Sequence, residues 1–356
     1  MTTTQPPRSP NAPAPGRVRS RRRPLRTAVT LVTVAAVGVG AVVVALNRLD
    51  DATPVAERCA ATADGRTWYL SVTQADNAAL ITGATVRRGL PARAATIGLA
   101  TALQESRLVN IDYGDRDSVG LFQQRPSQGW GTVAEIMDPV YSTNTFYDAL
   151  ETVEGYEGME VTVAAQTVQR SAFPDAYAQH EPRSRAWASA LTGWSPASLT
   201  CDLAAVPAEE VPADGDPAEP FRERVTRDLG DAVRVAPSDG GDGGLVVVDA
   251  SALPGAADDG GVERSAWAVA QWAVATADAT NVVAVEVGDR RWSRDGATWT
   301  TPDPADPAPL DPGVLRVHVA VPGASLPTAV GSRRRGVGDG ASPRREKWRL
   351  THPPPG

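Results

Sequence analysis

Residues 92–106 read ARAATIGLATALQES, and residues 118–124 read SVGLFQQ. In the first stretch, Ile97, Leu99 and Leu103 recur at helical spacing without a proline, which predicts a helix that ends near Glu105. Burial against apolar neighbours and the negative end of the helix dipole both disfavour a carboxylate at that place. Both effects raise its pKa toward the value that a general acid needs at neutral pH. A glutamate near a helix end can equally be a solvated surface residue, so its surroundings must decide.

Four further stretches predict helices around this one. Residues 74–88 form a helical run that Gly89 stops, and residues 160–171 and 182–192 form two more. Asp138-Pro139 places a capping acid before a proline at the first helical position, which starts another helix. No run alternates with the period of a strand for long. We therefore predict that residues 55–202 form a mainly α domain.

The start of the chain predicts a membrane anchor. Residues 1–26 are proline-rich and basic without an acid, and residues 27–46 run twenty positions without a charge. As a helix, that run spans about 30 Å, the thickness of a bilayer core. The positive-inside rule keeps the N-terminus in the cytoplasm, so we predict a single-pass signal-anchor in the cell membrane with the later domains extracellular. A cleaved signal peptide is the alternative.

Export places both cysteines in an oxidising compartment, where a disulfide between Cys59 and Cys201 is expected. The two cysteines lie near the ends of a predicted domain over residues 55–202, and an acidic, proline-rich stretch over 203–218 follows it as a predicted linker.

The segment around Glu105 resembles a known family. Glu105-Ser106 followed, fifteen residues after the glutamate, by Gly-Leu-Phe-Gln over 120–123 is similar to the signature of the lysozyme-like lytic transglycosylases, with Phe122 at the methionine position. Residues 138–150 and 164–181 resemble later elements of that family, so the resemblance covers roughly residues 75–195. The family's Ala-Tyr-Asn is replaced by Ala165-Gln166-Thr167.

The resemblance implies cleavage of the β-1,4 bond between N-acetylmuramic acid and N-acetylglucosamine in peptidoglycan strands. A single acid, Glu105, would protonate the glycosidic oxygen and then deprotonate the sugar's own 6-hydroxyl. It implies no cofactor. Substrate-binding or orienting roles would fall to Ser106, Gly120, Phe122, Gln123, Gln169 and Tyr177, with Gln166 as the alternative to Gln169 and with Trp130 and Tyr147 as candidates for stacking on sugars.

Two alternatives stay open. A lysozyme-type muramidase would hydrolyse the same bond with one of the loop acids Asp112, Asp115 or Asp117 as a second carboxylate. A catalytically inactive scaffold that binds the cell wall is the other.

Residues 219–327 predict a small α/β (α+β) domain. A helix over 265–279 and strands over 245–250, 282–287 and 314–321 carry the prediction. The order of elements resembles D-Ala-D-Ala carboxypeptidase-type zinc peptidases in a degenerate form. Asp242, Asp249 and His318 would be vestiges of a metal site, and we expect no metal and no catalysis there.

The remaining composition limits the partners. The formal net charge of −7 argues against a general nucleic-acid binder. Residues 328–356 form a basic tail that reads as disordered. The predicted architecture is therefore a multi-domain chain: one transmembrane helix, a mainly α lysozyme-like domain and a small α/β domain. The oligomeric state is not specified by the sequence.

Overall fold

The computed structural model of the protein describes residues 57–171, 173–211, 214–238, 244–302 and 310–322. These residues hold eight α-helices and nine strands in two antiparallel sheets, about 42% helical and 18% strand. The helices are α1 (Val72–Arg88), α2 (Ala92–Ser106), α3 (Val133–Met137), α4 (Pro139–Glu151), α5 (Val161–Gln169), α6 (Glu181–Leu191), α7 (Glu219–Leu229) and α8 (Gly261–Ala275). The strands are β1 (Arg58–Ala63), β2 (Arg66–Ser71), β3 (Leu199–Asp202), β4 (Arg234–Pro237), β5 (Leu245–Asp249), β6 (Val282–Val287), β7 (Arg290–Ser293), β8 (Thr298–Thr300) and β9 (Val314–Val319).

The predicted fold class, mainly α followed by a small α/β domain, is wrong. The first half contains an antiparallel sheet of order β2-β1-β3, which the sequence analysis missed. Strand β1 (RCAATA) consists mostly of small residues, β2 carries Trp68, Tyr69 and Leu70 in succession, and β3 has only four residues. None of them therefore shows the long alternation of apolar and polar residues that marks a strand. Asp64 and Gly65 between β1 and β2 both have positive φ, 52° and 71°, as a two-residue hairpin turn requires.

The fold prediction also included a transmembrane helix over residues 27–46. Within the described ranges, no helix is long and apolar enough to cross a membrane. Residues 27–46 lie outside those ranges.

Helix α2 lies at the centre of the first half. Its residues are buried on nearly every side, and it packs against α1, α5 and α6. A helix that is apolar all round belongs in a core, which is why its alanine-rich sequence carries no polar stripe. The predicted start of α4 is confirmed, because the Asp138 side chain accepts a hydrogen bond from the Val140 amide at 2.9 Å.

The second half is a six-stranded antiparallel sheet of order β4-β5-β9-β6-β7-β8, against which α8 packs. The three predicted strands and the predicted helix of this half are confirmed as β5, β6, β9 and α8, with α8 beginning four residues earlier than its predicted start at residue 265. Val246, Val285 and Val317 on adjacent strands are buried in the core.

The two halves meet along β3. The predicted disulfide is confirmed: Cys59 on β1 and Cys201 on β3 face each other in register and are bonded. On the side of the second half, the wholly buried Gln271 of α8 accepts hydrogen bonds from the Ser198 and Leu199 amides at 3.0 and 2.9 Å. Trp299 donates to the Leu199 carbonyl at 2.7 Å. One buried hydrophobic cluster therefore continues through both halves.

Candidate active site

Glu105 lies in the last turn of α2, one residue before the helix ends at Ser106. Arg107 and Leu108 then have positive φ values, 57° and 59°, so the chain turns sharply away from the helix axis. The Asn77 side chain holds this turn by donating to the Leu108 carbonyl at 2.9 Å. The turn keeps the Glu105 carboxyl at the edge of the buried core, where it is half-buried.

The carboxyl group of Glu105 is paired with a phenol. The Tyr177 hydroxyl donates to Glu105 Oε1 at 2.6 Å. Burial raises the pKa of Glu105 above its ordinary value, and hydrogen bonds from Tyr177 and Gln169 offset that rise in part. Since both donors stabilise the charged form, the group can give up a proton without being stranded as an unpaired buried charge.

Tyr177 is a fully buried side chain that precedes the 3₁₀ helix Ala178–His180. Burial raises the pKa of Tyr177, and the neighbouring Glu105 raises it further. The phenol therefore keeps its proton at neutral pH and acts as a donor to Glu105. Ser171 also hydrogen-bonds Tyr177, which ties the tyrosine to the loop after α5.

Gln169 is the glutamine that reaches the site. It is the last residue of α5, and besides bonding Glu105 its Nε2 donates to the Phe122 carbonyl at 2.8 Å. Gln166 instead donates to the Ser171 carbonyl at 2.8 Å and shapes the loop. Of the two glutamines that the sequence left as alternatives, Gln169 therefore lies at the Glu105 carboxyl and Gln166 lies at the loop after α5.

Ser106 and Gly120 join helix α2 to the loop that carries the second part of the motif. Ser106 Oγ donates to the Leu121 carbonyl at 2.7 Å, across fifteen positions of the chain. Gly120 has φ of 81°, and its amide donates to the Ile111 carbonyl at 2.7 Å. A Cβ at Gly120 would lie 2.8 Å from the Ile136 carbonyl oxygen. The glycine is thus required by packing within the protein.

Three aromatic residues that the sequence offered for stacking on sugars are buried or partly buried. Phe122 is fully buried and stacks on Phe146 with ring centroids 4.5 Å apart. Tyr147 is fully buried, and its hydroxyl donates to the Ile81 carbonyl at 3.2 Å. Trp130 is partly buried against the core. Their side chains pack inside the first half.

Gln123 lies in the loop with φ of 48°. Its side-chain amide donates to the Tyr113 carbonyl at 3.2 Å and so fixes the backbone of the 108–117 loop. Tyr113 itself is 70% exposed, and Phe173, between Ser171 and Tyr177, is 73% exposed. Neither ring was among the site residues predicted from the sequence. Aromatic residues inside turn-rich loops were the signal that could have found them, since such residues have no core to enter.

The loop acids have other partners. Asp117 accepts from Arg125 Nε at 2.8 Å and from the Ser127 amide at 2.8 Å, and these bonds hold the pKa of Asp117 well below its usual range. Asp115 forms an exposed ion pair with Arg116 at 3.8 Å. Asp112 is exposed. The hydrogen bonds of Asp117 therefore stabilise its own loop and do not position the carboxyl group of Glu105.

A polar group that the sequence did not predict surrounds the side chain of Gln104, the residue before Glu105. His180 Nε2 is 3.0 Å from the Gln104 side-chain oxygen, and Gln179 Nε2 donates to the same oxygen at 3.1 Å. Burial and the nearby Arg183 lower the pKa of His180 to about 4. The imidazole is consequently neutral at pH 7.

The candidate vestigial metal residues of the second half are not brought together. Asp249 accepts from Arg234 at 2.8 Å and from Ser251, whereas His318 bonds Glu286 at 3.1 Å. Asp249 on β5 pairs with Val314, four positions from His318 on β9. Asp242 lies outside the described residues. Over the ranges that the structure covers, no three metal-binding side chains lie close enough together to hold an ion.

No protein-family model matches this chain, and no curated protein matches it either.

Proposed function

We propose that this protein is a peptidoglycan lytic transglycosylase, in which Glu105 alone serves as general acid and then as general base. The observation that carries the proposal is the Glu105 carboxyl, whose pKa is raised by burial while Tyr177 donates to it at 2.6 Å. A glycosidase acid must be protonated at neutral pH and must tolerate being charged after it has given its proton away. Burial favours the protonated state of Glu105, and the hydrogen bonds from Tyr177 and Gln169 stabilise the charged state.

The proton transfers follow from this pair. Protonated Glu105 gives its proton to the oxygen between N-acetylmuramic acid and N-acetylglucosamine, and the bond from C1 of the muramic acid to that oxygen breaks. The resulting carboxylate is stabilised by the Tyr177 hydroxyl and the Gln169 amide. It then takes the proton of the muramic acid 6-hydroxyl as that oxygen bonds to C1. The products are an anhydro end and a free 4-hydroxyl, and Glu105 is protonated again.

The substrate is a polymer that lies outside the cytoplasm, and the disulfide Cys59–Cys201 supports that location, because disulfides persist in oxidising compartments. The exposed rings of Tyr113 and Phe173, on the loops after α2 and α5, supply surfaces on which sugar rings can stack.

The experiment is digestion of purified peptidoglycan with the full-length chain, read by mass spectrometry. We expect muropeptides with anhydro ends, and we expect Glu105→Gln to lower their release at least about a hundredfold, since general acids contribute about 10²–10⁴ to rate. Glu154→Gln, which alters an exposed glutamate of the same half, is the matched control and should keep full activity. Reducing ends in place of anhydro ends would assign hydrolysis instead. Absence of any product would favour the inactive scaffold, and equal product from Glu105→Gln would contradict the catalytic role of Glu105.

A further inference from the structure

A cavity of about 540 Å³ lies at the seam between the two halves. Its walls come from the segment leading into β3, from α8 and from β8, and none of the residues that surround Glu105 takes part in it. The volume falls within the range of about 300–1,000 Å³ that is usual for small-molecule sites.

Two tryptophans form one wall of the cavity. The rings of Trp267 on α8 and Trp299 on β8 meet edge to face with centroids 5.1 Å apart. Trp299 is held by the hydrogen bond from its indole nitrogen to the Leu199 carbonyl at 2.7 Å. Trp267 is 4% exposed, so only an edge of it meets the cavity, whereas Trp299 is half-buried and presents more of its ring. The aromatic wall is therefore rigid before any ligand arrives.

Polar side chains lie around the tryptophans. Glu263 is exposed in the first turn of α8. Asp289 in the turn after β6 and Arg290 at the start of β7 form an ion pair at 3.4 Å. Thr298 lies exposed on the edge strand β8. The lining thus offers carboxylate acceptors, guanidinium donors and a hydroxyl beside an apolar ring.

We propose that this cavity binds a short segment of an oligosaccharide, as a second glycan site separate from Glu105. A sugar ring has an apolar face of C–H groups and a rim of hydroxyls, so it requires an aromatic surface together with several donors and acceptors. Trp299 with Glu263, Asp289 and Arg290 supplies that combination. The choice of β-1,4-linked amino sugars as the ligand rests on the proposed function. The cavity and its lining residues are observed independently of that function.

The test measures calorimetric binding of a tetramer of β-1,4-linked N-acetylglucosamine to full-length Glu105→Gln protein, which does not consume the ligand. We expect that adding Thr298→Arg, whose long side chain fills the cavity mouth, weakens one binding event at least tenfold. Thr300→Arg, on the same face of β8 but outside the cavity lining, is the matched control and should leave binding unchanged. Circular dichroism establishes that both variants are folded.

Unchanged binding in the Thr298→Arg protein would overturn the proposal. So would a peptide stem without sugar that binds in the same Thr298-dependent way while the tetramer does not. The two proposals fail separately. Cleavage without tetramer binding in the cavity removes only this inference, and cavity binding without any Glu105-dependent cleavage removes only the proposed function.

Discussion

The hydrogen bond between Tyr177 and Glu105 determines how the acid behaves with pH. Burial pushes the pKa of Glu105 up, and the phenol pulls it part of the way back. Because Tyr177 has a raised pKa of its own, it stays a donor over the whole range in which a glutamate titrates. The pH dependence of cleavage should therefore report Glu105 alone.

Replacing Tyr177 with phenylalanine removes this donor. The pKa of Glu105 should rise further, so the alkaline limb of the pH profile of kcat/KM should move to higher pH. The maximal rate should fall about tenfold to a hundredfold, because a hydrogen bond to a charged group contributes about 1.5–3 kcal/mol. Tyr141→Phe, which removes a hydroxyl bonded to the Trp130 carbonyl at 3.2 Å, is the control. An alkaline limb that stays in place or moves to lower pH would contradict this role.

The ionisation of Glu105 should also lower the free energy of unfolding at neutral pH. Its pKa is higher in the folded protein than the ordinary value of 4.5, so the folded state binds the proton more tightly than the unfolded state. The cost is absent below the unfolded pKa and grows as the pH rises from there through the folded pKa. Glu105→Gln does not titrate, so its gain in Tm over the parent should be larger at pH 8 than at pH 4. Glu154→Gln is the reference, and an equal gain at both pH values would refute the assignment.

At this scale the sequence predicted part of the site. The position of Glu105 follows from helical periodicity. The family resemblance brought in Gln169 and Tyr177, which hydrogen-bond Glu105, and Ser106, whose hydroxyl instead bonds the Leu121 carbonyl. Phe122 shows where such reasoning stops. The sequence around an aromatic residue does not show whether its ring faces a cleft or the core. In this protein the Phe122 ring stacks on Phe146 in the core.

Among the elements, the loop from residue 108 to residue 124 connects the end of α2 to the rest of the site. Gly120→Ala should lower the free energy of unfolding by roughly 2–4 kcal/mol, since a left-handed non-glycine residue costs about 1–2 kcal/mol and the clash with the Ile136 carbonyl adds to it. Gly129 has nearly the same φ, 83°, with open space around it, so Gly129→Ala should cost only about 1 kcal/mol. Urea unfolding compares the two, and equal losses would mean that the contact with Ile136 yields easily.

The strands that sequence reasoning predicted and those it missed differ mainly in composition, since β1 and β2 were missed although each has six residues. Strands β5, β6 and β9 are valine-rich runs of five or six residues and were predicted, whereas β3 has only four residues. A strand as short as β3 is specified by its partners: it is paired with β1, bonded through Cys201 and capped by Gln271. None of those contacts leaves a local pattern in the sequence.

For the molecule as a whole, Gln271 is one of the residues that join the two halves. Its side chain accepts from the Ser198 and Leu199 amides and donates to the Ala190 and Ser195 carbonyls at 2.7 and 3.1 Å. Gln271→Leu leaves these backbone groups without hydrogen-bond partners. We expect it to lower the free energy of unfolding by about 3–5 kcal/mol, measured by thermal or urea unfolding. Gln128→Leu at an exposed position is the control. Two separate transitions in the parent protein would show instead that the halves unfold independently.

The disulfide between β1 and β3 also has a mechanical consequence. Cys59 lies near the entrance of the chain into the first half, and Cys201 lies near its exit toward the second half. Tension applied between residues 57 and 203 would be carried by a covalent bond and two paired strands over a short path. Helix α2, with Glu105 at its end, lies outside that load path, so pulling on the protein should leave the geometry around the carboxyl undisturbed.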